Sequence, residues 1–120
     1  MGLYLLALPK DYRTAVTLFK KKDELESYHD DLIPSNEGVS TITIVHPKNL
    51  SDINKTAVIS NELKPKDVSY ARLTITGFVY RNRLSERQAV NIVKKHLYRA
   101  IENVGIDSKK FRFETVWKIC

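Results

Sequence analysis

The sequence predicts an α+β domain with the element order βαββαβ. Three observations carry this: four stretches with the alternation or apolar density of strands, two longer stretches with a 3.6-residue apolar stripe, and the interleaving of the two kinds along 120 residues. A chain of that length is read as one domain, residues 1–120. It buries roughly two-thirds of its unfolded surface on folding and needs no disulfide or metal staple.

Residues 2–8 are apolar on both faces, as expected of an interior strand, and Pro9 closes them. From residue 11 to 31 the pattern is helical, with Tyr12, Ala15, Val16 and Phe19 on one stripe and Leu18, Leu25, Tyr28 and Leu32 on another. The stripe slips near Lys22, where Asp23 and Glu26 have the spacing of a capping box, so a break or two short helices are expected. Pro34, Asn36 and Gly38 end the element. Residues 39–45 alternate around Ile42 and Ile44 with β-branched neighbours, the composition of a half-buried strand, and His46 and Pro47 stop it.

Segment 48–67 reads two ways. Ser51 is placed to cap a short helix through Leu50, Ile53 and Val58, while residues 56–60 equally suit a strand; the segment is treated as an insertion. Residues 68–81 form the longest strand, with Ala71, Leu73, Ile75 and Val79 on one face and Tyr70, Arg72, Thr74, Thr76, Phe78 and Tyr80 on the other; Gly77 is a bulge position. The clearest helix begins at Ser85, with Gln88 completing a capping box and Ala89, Val93, Leu97, Ala100, Ile101 and Val104 as its stripe, and Gly105 ends it. Residues 110–120 close the domain as a strand with Phe111, Phe113, Trp117 and Ile119 on one face and Arg112, Glu114, Val116 and Lys118 on the other. The simplest arrangement satisfying this order and right-handed crossovers is ferredoxin-like: a four-stranded antiparallel sheet, helices on one face, and the insertion between the second and third strands.

Several function classes are set aside. The apolar run 3–8 is far short of the ~20 residues of a membrane helix, no charged n-region precedes it, and Leu6 stands where a myristoylation signal wants Ser or Thr. Cys120 is the one cysteine, so no internal disulfide and no cysteine zinc site form, and a cytoplasmic protein is expected. His29, His46 and His96 lack metal-site spacing. His29, Asp30 and Asp31 with Glu26 are the one cluster dense enough for divalent-metal nuclease chemistry, and they read more simply as a solvated acidic helix end. The four glycines are scattered, which leaves no phosphate loop. No catalytic residue, metal or cofactor is expected, and a non-enzymatic role is preferred.

The net charge of +6 is segregated. Residues 10–22 hold five cations and one anion, and residues 23–37 hold six anions and neither Lys nor Arg. Residues 81–99 hold Arg81, Arg83, Arg87, Lys94, Lys95 and Arg99 against Glu86 alone. Arg87, Asn91, Lys94, Lys95 and Tyr98 fall opposite the apolar stripe and form one band along which a polyanion fits, each neutralised phosphate releasing counterions. The first expectation is therefore a basic module that binds RNA or DNA through Arg81, Arg83, Arg87, Lys94, Lys95, Tyr98 and Arg99. Two plainer explanations stand beside it: an ordinary polar helix surface, or a band paired with the acidic segment 23–37.

If Leu3, Leu5 and Ala7 face the helices, then Tyr4, Leu6 and Leu8 face outward beside Arg72, Phe78 and Tyr80. A bare patch of that kind marks an interface. One occupant is single-stranded nucleic acid stacking on the aromatics. At this point residues 3–8 are similar to the first-strand hexamer of the RNA recognition motif family, with Ala7 in place of the usual Asn. Gly77, Phe78 and Tyr80 match that family's third-strand octamer at its glycine and two aromatics. Thr76 stands where a basic residue belongs, Arg81 and Arg83 stand where apolar and aromatic residues belong, and the intervening segment is long, so membership is not claimed. The other occupant is a second sheet in a symmetric homo-oligomer, most simply a dimer, which Leu6, Leu8 and Val116 favour. The alternative expectation is accordingly an assembly or inhibitory protein-interaction module that uses the open sheet face.

Overall fold

The computed structural model describes residues 2–28, 39–62, 64–76 and 86–118. Its strands are β1 (Gly2–Pro9), β2 (Val39–Val45), β3 (Tyr70–Thr76) and β4 (Phe111–Lys118), joined in one antiparallel sheet of order β2-β3-β1-β4. Its helices are α1 (Tyr12–Lys20), α2 (Lys22–Glu26), α3 (Lys55–Ser60) and α4 (Glu86–Asn103), with 3₁₀ turns at Leu50–Asp52 and Ser108–Lys110.

Side chains alternate across a strand, so register decides which of them meet the helices. Leu5 stands opposite Leu73, and Ala7 opposite Ala71 on one side and Phe113 on the other. This face, with Ile42, Ile44 and Phe111, packs against Leu18 of α1, Leu25 of α2, and Val93, Leu97, Ala100 and Ile101 of α4 as the main core. Ala7 and Ala71 are both fully buried at its centre, where their small side chains let helices lie close to the sheet. Each fully buried leucine here contributes roughly 1.5–3 kcal/mol of transfer free energy.

The helix boundaries follow from local chemistry. The Asp11 carboxylate accepts from the Thr14 amide at 2.7 Å and caps α1, and that hydrogen bond holds its pKa below the ordinary carboxylate value. The expected break falls at Lys21, which is the C-cap of α1 and the N-cap of α2. The capping box of Asp23 and Glu26 does not form, because Asp23 already lies in the first turn of α2. Glu26 instead accepts from the Ile44 amide at 3.3 Å, occupying a donor on the outer edge of β2 that a foreign strand would otherwise use. At the other end of the chain's long helix, Gly105 takes φ +84, a left-handed conformation suited to glycine, and the Ile106 amide reaches back to the Ile101 carbonyl. Glu102 then accepts from both the hydroxyl and the amide of Ser108, which keeps its carboxyl ionised below the usual range.

Segment 48–67 is an integral part of the fold. Asn54, rather than Ser51, caps α3 by accepting from the Thr56 and Ala57 amides, and the strand alternative over 56–60 is overturned. Ile53, Ala57, Val58 and Val68 join Ala15 in a second small core, flanked by Val16, Phe19 and Leu50. Ser69 is fully buried beside it, and its hydroxyl donates to the Ala15 carbonyl at 2.7 Å. The third strand begins two residues later than expected, at Tyr70; residues 77–81 of the expected strand, with the bulge position Gly77, and the cap Ser85 and the terminators Pro34, Asn36 and Gly38 lie outside the described residues.

Candidate nucleic-acid interface

Burial of Val93, Leu97, Ala100 and Ile101 fixes the rotation of α4 about its axis and therefore what it shows to solvent. Arg87, Asn91, Lys95 and Arg99 are exposed at four-residue intervals. Successive members of a row with that spacing lie about 6 Å apart along the helix axis. Arg87 and Lys95 make no ion pair among the described residues.

Lys94 and Tyr98 do not share that row. Both are half-buried: the Tyr98 ring meets Phe113 edge-on with centroids 4.5 Å apart, and the Lys94 ammonium lies 5.7 Å from the Tyr98 ring and 5.9 Å from the Phe113 ring. The expected single band is thereby corrected. Phe113 stands on the helix-facing side of edge strand β4, opposite Ala7, and its ring draws Tyr98 inward while Lys94 closes over both as a cation–π contact. Arg81 and Arg83 lie outside the described residues.

The opposite, open face of the sheet also differs from expectation. Leu6 and Leu8 point outward but are only 6% and 3% exposed, so the bare aliphatic patch expected there is absent. Leu8, with Pro9, Val58, Asn61, Glu62, Val68, Ser69 and Tyr70, lines a depression at the end of the sheet that segment 48–67 closes. That depression holds about 180 Å³ of empty space, open solvent included, below the ~300–1,000 Å³ of small-molecule sites. Leu6 is flanked by Arg72 on β3 and Glu114 on β4, its direct partners in the two neighbouring strands.

Among the other described side chains on this face, Tyr4, Tyr70, Arg72, Thr43, Val45, Glu114 and Val116 are half-buried and Thr41 and Arg112 are exposed. The Arg72 Nε is buried with no hydrogen-bond partner, and among the described residues no carboxylate pairs with this guanidinium. Glu114, the acid on the same row, is bonded to Arg112 instead. Burial pushes the Tyr70 hydroxyl pKa up, partly offset by the Arg72 charge and reinforced by Tyr4, so the three groups sense one another. Tyr70 was not among the candidate residues of the sequence, although its parity with Arg72 placed it on this face. Phe78 and Tyr80 lie outside the described residues.

The histidines of the described residues are packed side chains. His96 is 4% exposed with its ring 5.5 Å from Tyr28, and His46 stands edge-on to Phe19 with its Nδ1 2.6 Å from the Pro47 carbonyl. No group of three metal-ligating side chains occurs among the described residues, nor does a helix long and apolar enough to cross a membrane. No protein-family model matches the chain, and neither a curated protein nor a solved structure is significantly similar to it.

Proposed function

We propose that this chain is a basic, non-enzymatic nucleic-acid-binding module whose phosphate-contacting surface is the exposed row on α4. The observation that carries the reading is the alignment of Arg87, Asn91, Lys95 and Arg99 on the solvent side of one long helix, with Arg87 and Lys95 unneutralised among the described residues. A net charge of +6 supplies a long-range field of the same sign. The scaffold reading that goes with it is ferredoxin-like, supported by β1 and β3 at the centre of the sheet and β2 and β4 at its edges. Of the three aliphatic side chains behind the alternative, homo-oligomer reading, Leu6 and Leu8 are buried within one chain and Val116 is half-buried.

Fluorescence anisotropy of a labelled 20-base-pair duplex at several salt concentrations tests the proposal. The slope of log affinity against log salt is about −0.9 per neutralised phosphate, so an Arg87→Ala, Lys95→Ala double variant flattens it by about 1.8. Both positions are exposed on a helix, where alanine is well tolerated. A folded double variant with the wild-type slope refutes the assignment of this row.

A further inference from the structure

We infer that the free edge of β4 pairs with the same edge of a second copy of this chain, antiparallel about a two-fold axis at Phe113, so that one sheet runs through both chains. That edge takes no part in the nucleic-acid reading above, and the pairing stands or falls without it.

β4 is the last strand on its side of the sheet, and the register fixes where its backbone groups point. The Lys10 amide donates to the Lys110 carbonyl at 2.8 Å, which extends the β1–β4 register by one position and makes the even-numbered residues of β4 the hydrogen-bonded partners of β1. Phe111, Phe113 and Thr115 therefore turn their backbone groups to the outer edge. The Phe111 amide is used by the Ser108 carbonyl, which leaves the Phe111 carbonyl and both groups of Phe113 and Thr115. Among the described residues no hydrogen bond meets these groups. The other edge of the sheet is different, because the Glu26 carboxylate sits on the Ile44 amide of β2.

Charge selects the occupant and its register. Arg112 and Glu114 lie two residues apart on the open face and are bonded to each other within one chain. With Phe113 opposite Phe113 of a second copy, Arg112 stands opposite Glu114 of that copy and Glu114 opposite its Arg112, in the closer, non-hydrogen-bonded pairs. The charges then alternate around the axis. The Phe113 amide meets the carbonyl of the other Phe113, and the Thr115 amide meets the carbonyl of the other Phe111. Sliding the second copy by two residues, the smallest slip that keeps outward groups facing one another, sets Arg112 against Arg112 or Glu114 against Glu114, which is unfavourable. The contact is isologous and closes at two chains, whereas β4 on the β2 edge of the next chain would run on as a filament and meets Glu26 there.

Sedimentation velocity of the full chain from about 5 to 300 µM reads the association. Both α4 helices lie on one face of the continued sheet and their cations repel, so the measurement is made at about 150 mM salt, where exposed charges more than about 8 Å apart are largely screened. Arg112→Glu and Glu114→Arg each place like charges in both symmetric pairs and are expected to weaken the dimer at least about tenfold. Mixed in equal amounts, these two variants are expected to form a heterodimer, since one then carries only acids and the other only bases at the two positions. Thr115→Pro removes an outward amide that the fold itself does not use and is expected to abolish the dimer, with melting curves reporting that the variant folds. In the wild-type protein, which needs no variant to fold, hydrogen exchange at the Phe113 and Thr115 amides is expected to slow as concentration rises. Wild-type protein that stays monomeric over this range, charge variants that dimerise like the wild type, a mixture that gives no heterodimer, or exchange at these amides that is independent of concentration overturns the inference. Oligonucleotide binding decides the α4 reading separately in every one of those cases.

Discussion

Two adjacent residues of α3 separate a structural role for segment 48–67 from a decorative one. Val58 is 1% exposed in the second core, and its neighbour Ile59 is 63% exposed on the same short helix. Val58→Ala deletes two buried carbons, a transfer cost of about 1.6 kcal/mol at roughly 0.8 kcal/mol each, and the residual cavity raises the total to about 2–3 kcal/mol. Ile59→Ala removes three carbons from a side chain mostly in water, so its effect stays within about 0.5 kcal/mol. For a domain of 120 residues, 1 kcal/mol corresponds to about 4 °C, so Val58→Ala lowers Tm by about 8–12 °C. Urea denaturation followed by far-UV circular dichroism, fitted with a common m value, measures the difference at equilibrium. If the two variants fall within about 0.5 kcal/mol of each other, α3 is not packed as described and the burial of Leu8 beneath this segment loses its explanation.

Ser69→Ala leaves the buried Ala15 carbonyl without its 2.7 Å donor and is expected to cost about 1–3 kcal/mol by the same denaturation assay. Asp11→Ala removes the cap of α1 at a cost of about 1 kcal/mol near neutral pH. Because the folded state holds the Asp11 pKa below its unfolded value, the contribution is present above about pH 4 and is lost as pH falls through the folded value; urea curves of both proteins at pH 7 and pH 2.5 should therefore converge at the lower pH. Spectrophotometric titration near 295 nm should show a tyrosine step later than the ordinary range that is lost in Tyr70→Phe.

The long elements were legible because one dominant cue set each of them. In α4 the stripe of Val93, Leu97, Ala100 and Ile101 and the terminator Gly105 agree with each other, and the break between α1 and α2 showed as a slip in the stripe close to the Lys21 where it occurs. Segment 48–67 was ambiguous because Ser51 and Asn54 both suit a cap and six residues are too few for a period to declare itself. Which face Leu6 and Leu8 occupy followed from parity, but whether they are covered did not. Leu8 is closed over by residues some fifty to sixty positions later, and Leu6 stands directly opposite Arg72 and Glu114 of two other strands, a neighbourhood that depends on the assembled sheet. The same reason explains Lys94 and Tyr98: a helical wheel places them opposite the apolar stripe, and only the position of Phe113 at the sheet edge reveals a ring for them to pack on.

The exposed cations of α4 make phosphate binding the central claim, and the dependence of wild-type affinity on salt addresses it most directly. Anisotropy titrations of labelled single- and double-stranded oligonucleotides between about 20 and 300 mM salt should give straight log–log plots, with a slope of about −0.9 for each duplex phosphate neutralised and about −0.7 for each single-strand phosphate. A slope of about −2 or steeper on the duplex agrees with Arg87 and Lys95 acting together on the backbone. No binding of either oligonucleotide at the lowest salt, or an affinity that does not change with salt, contradicts the account.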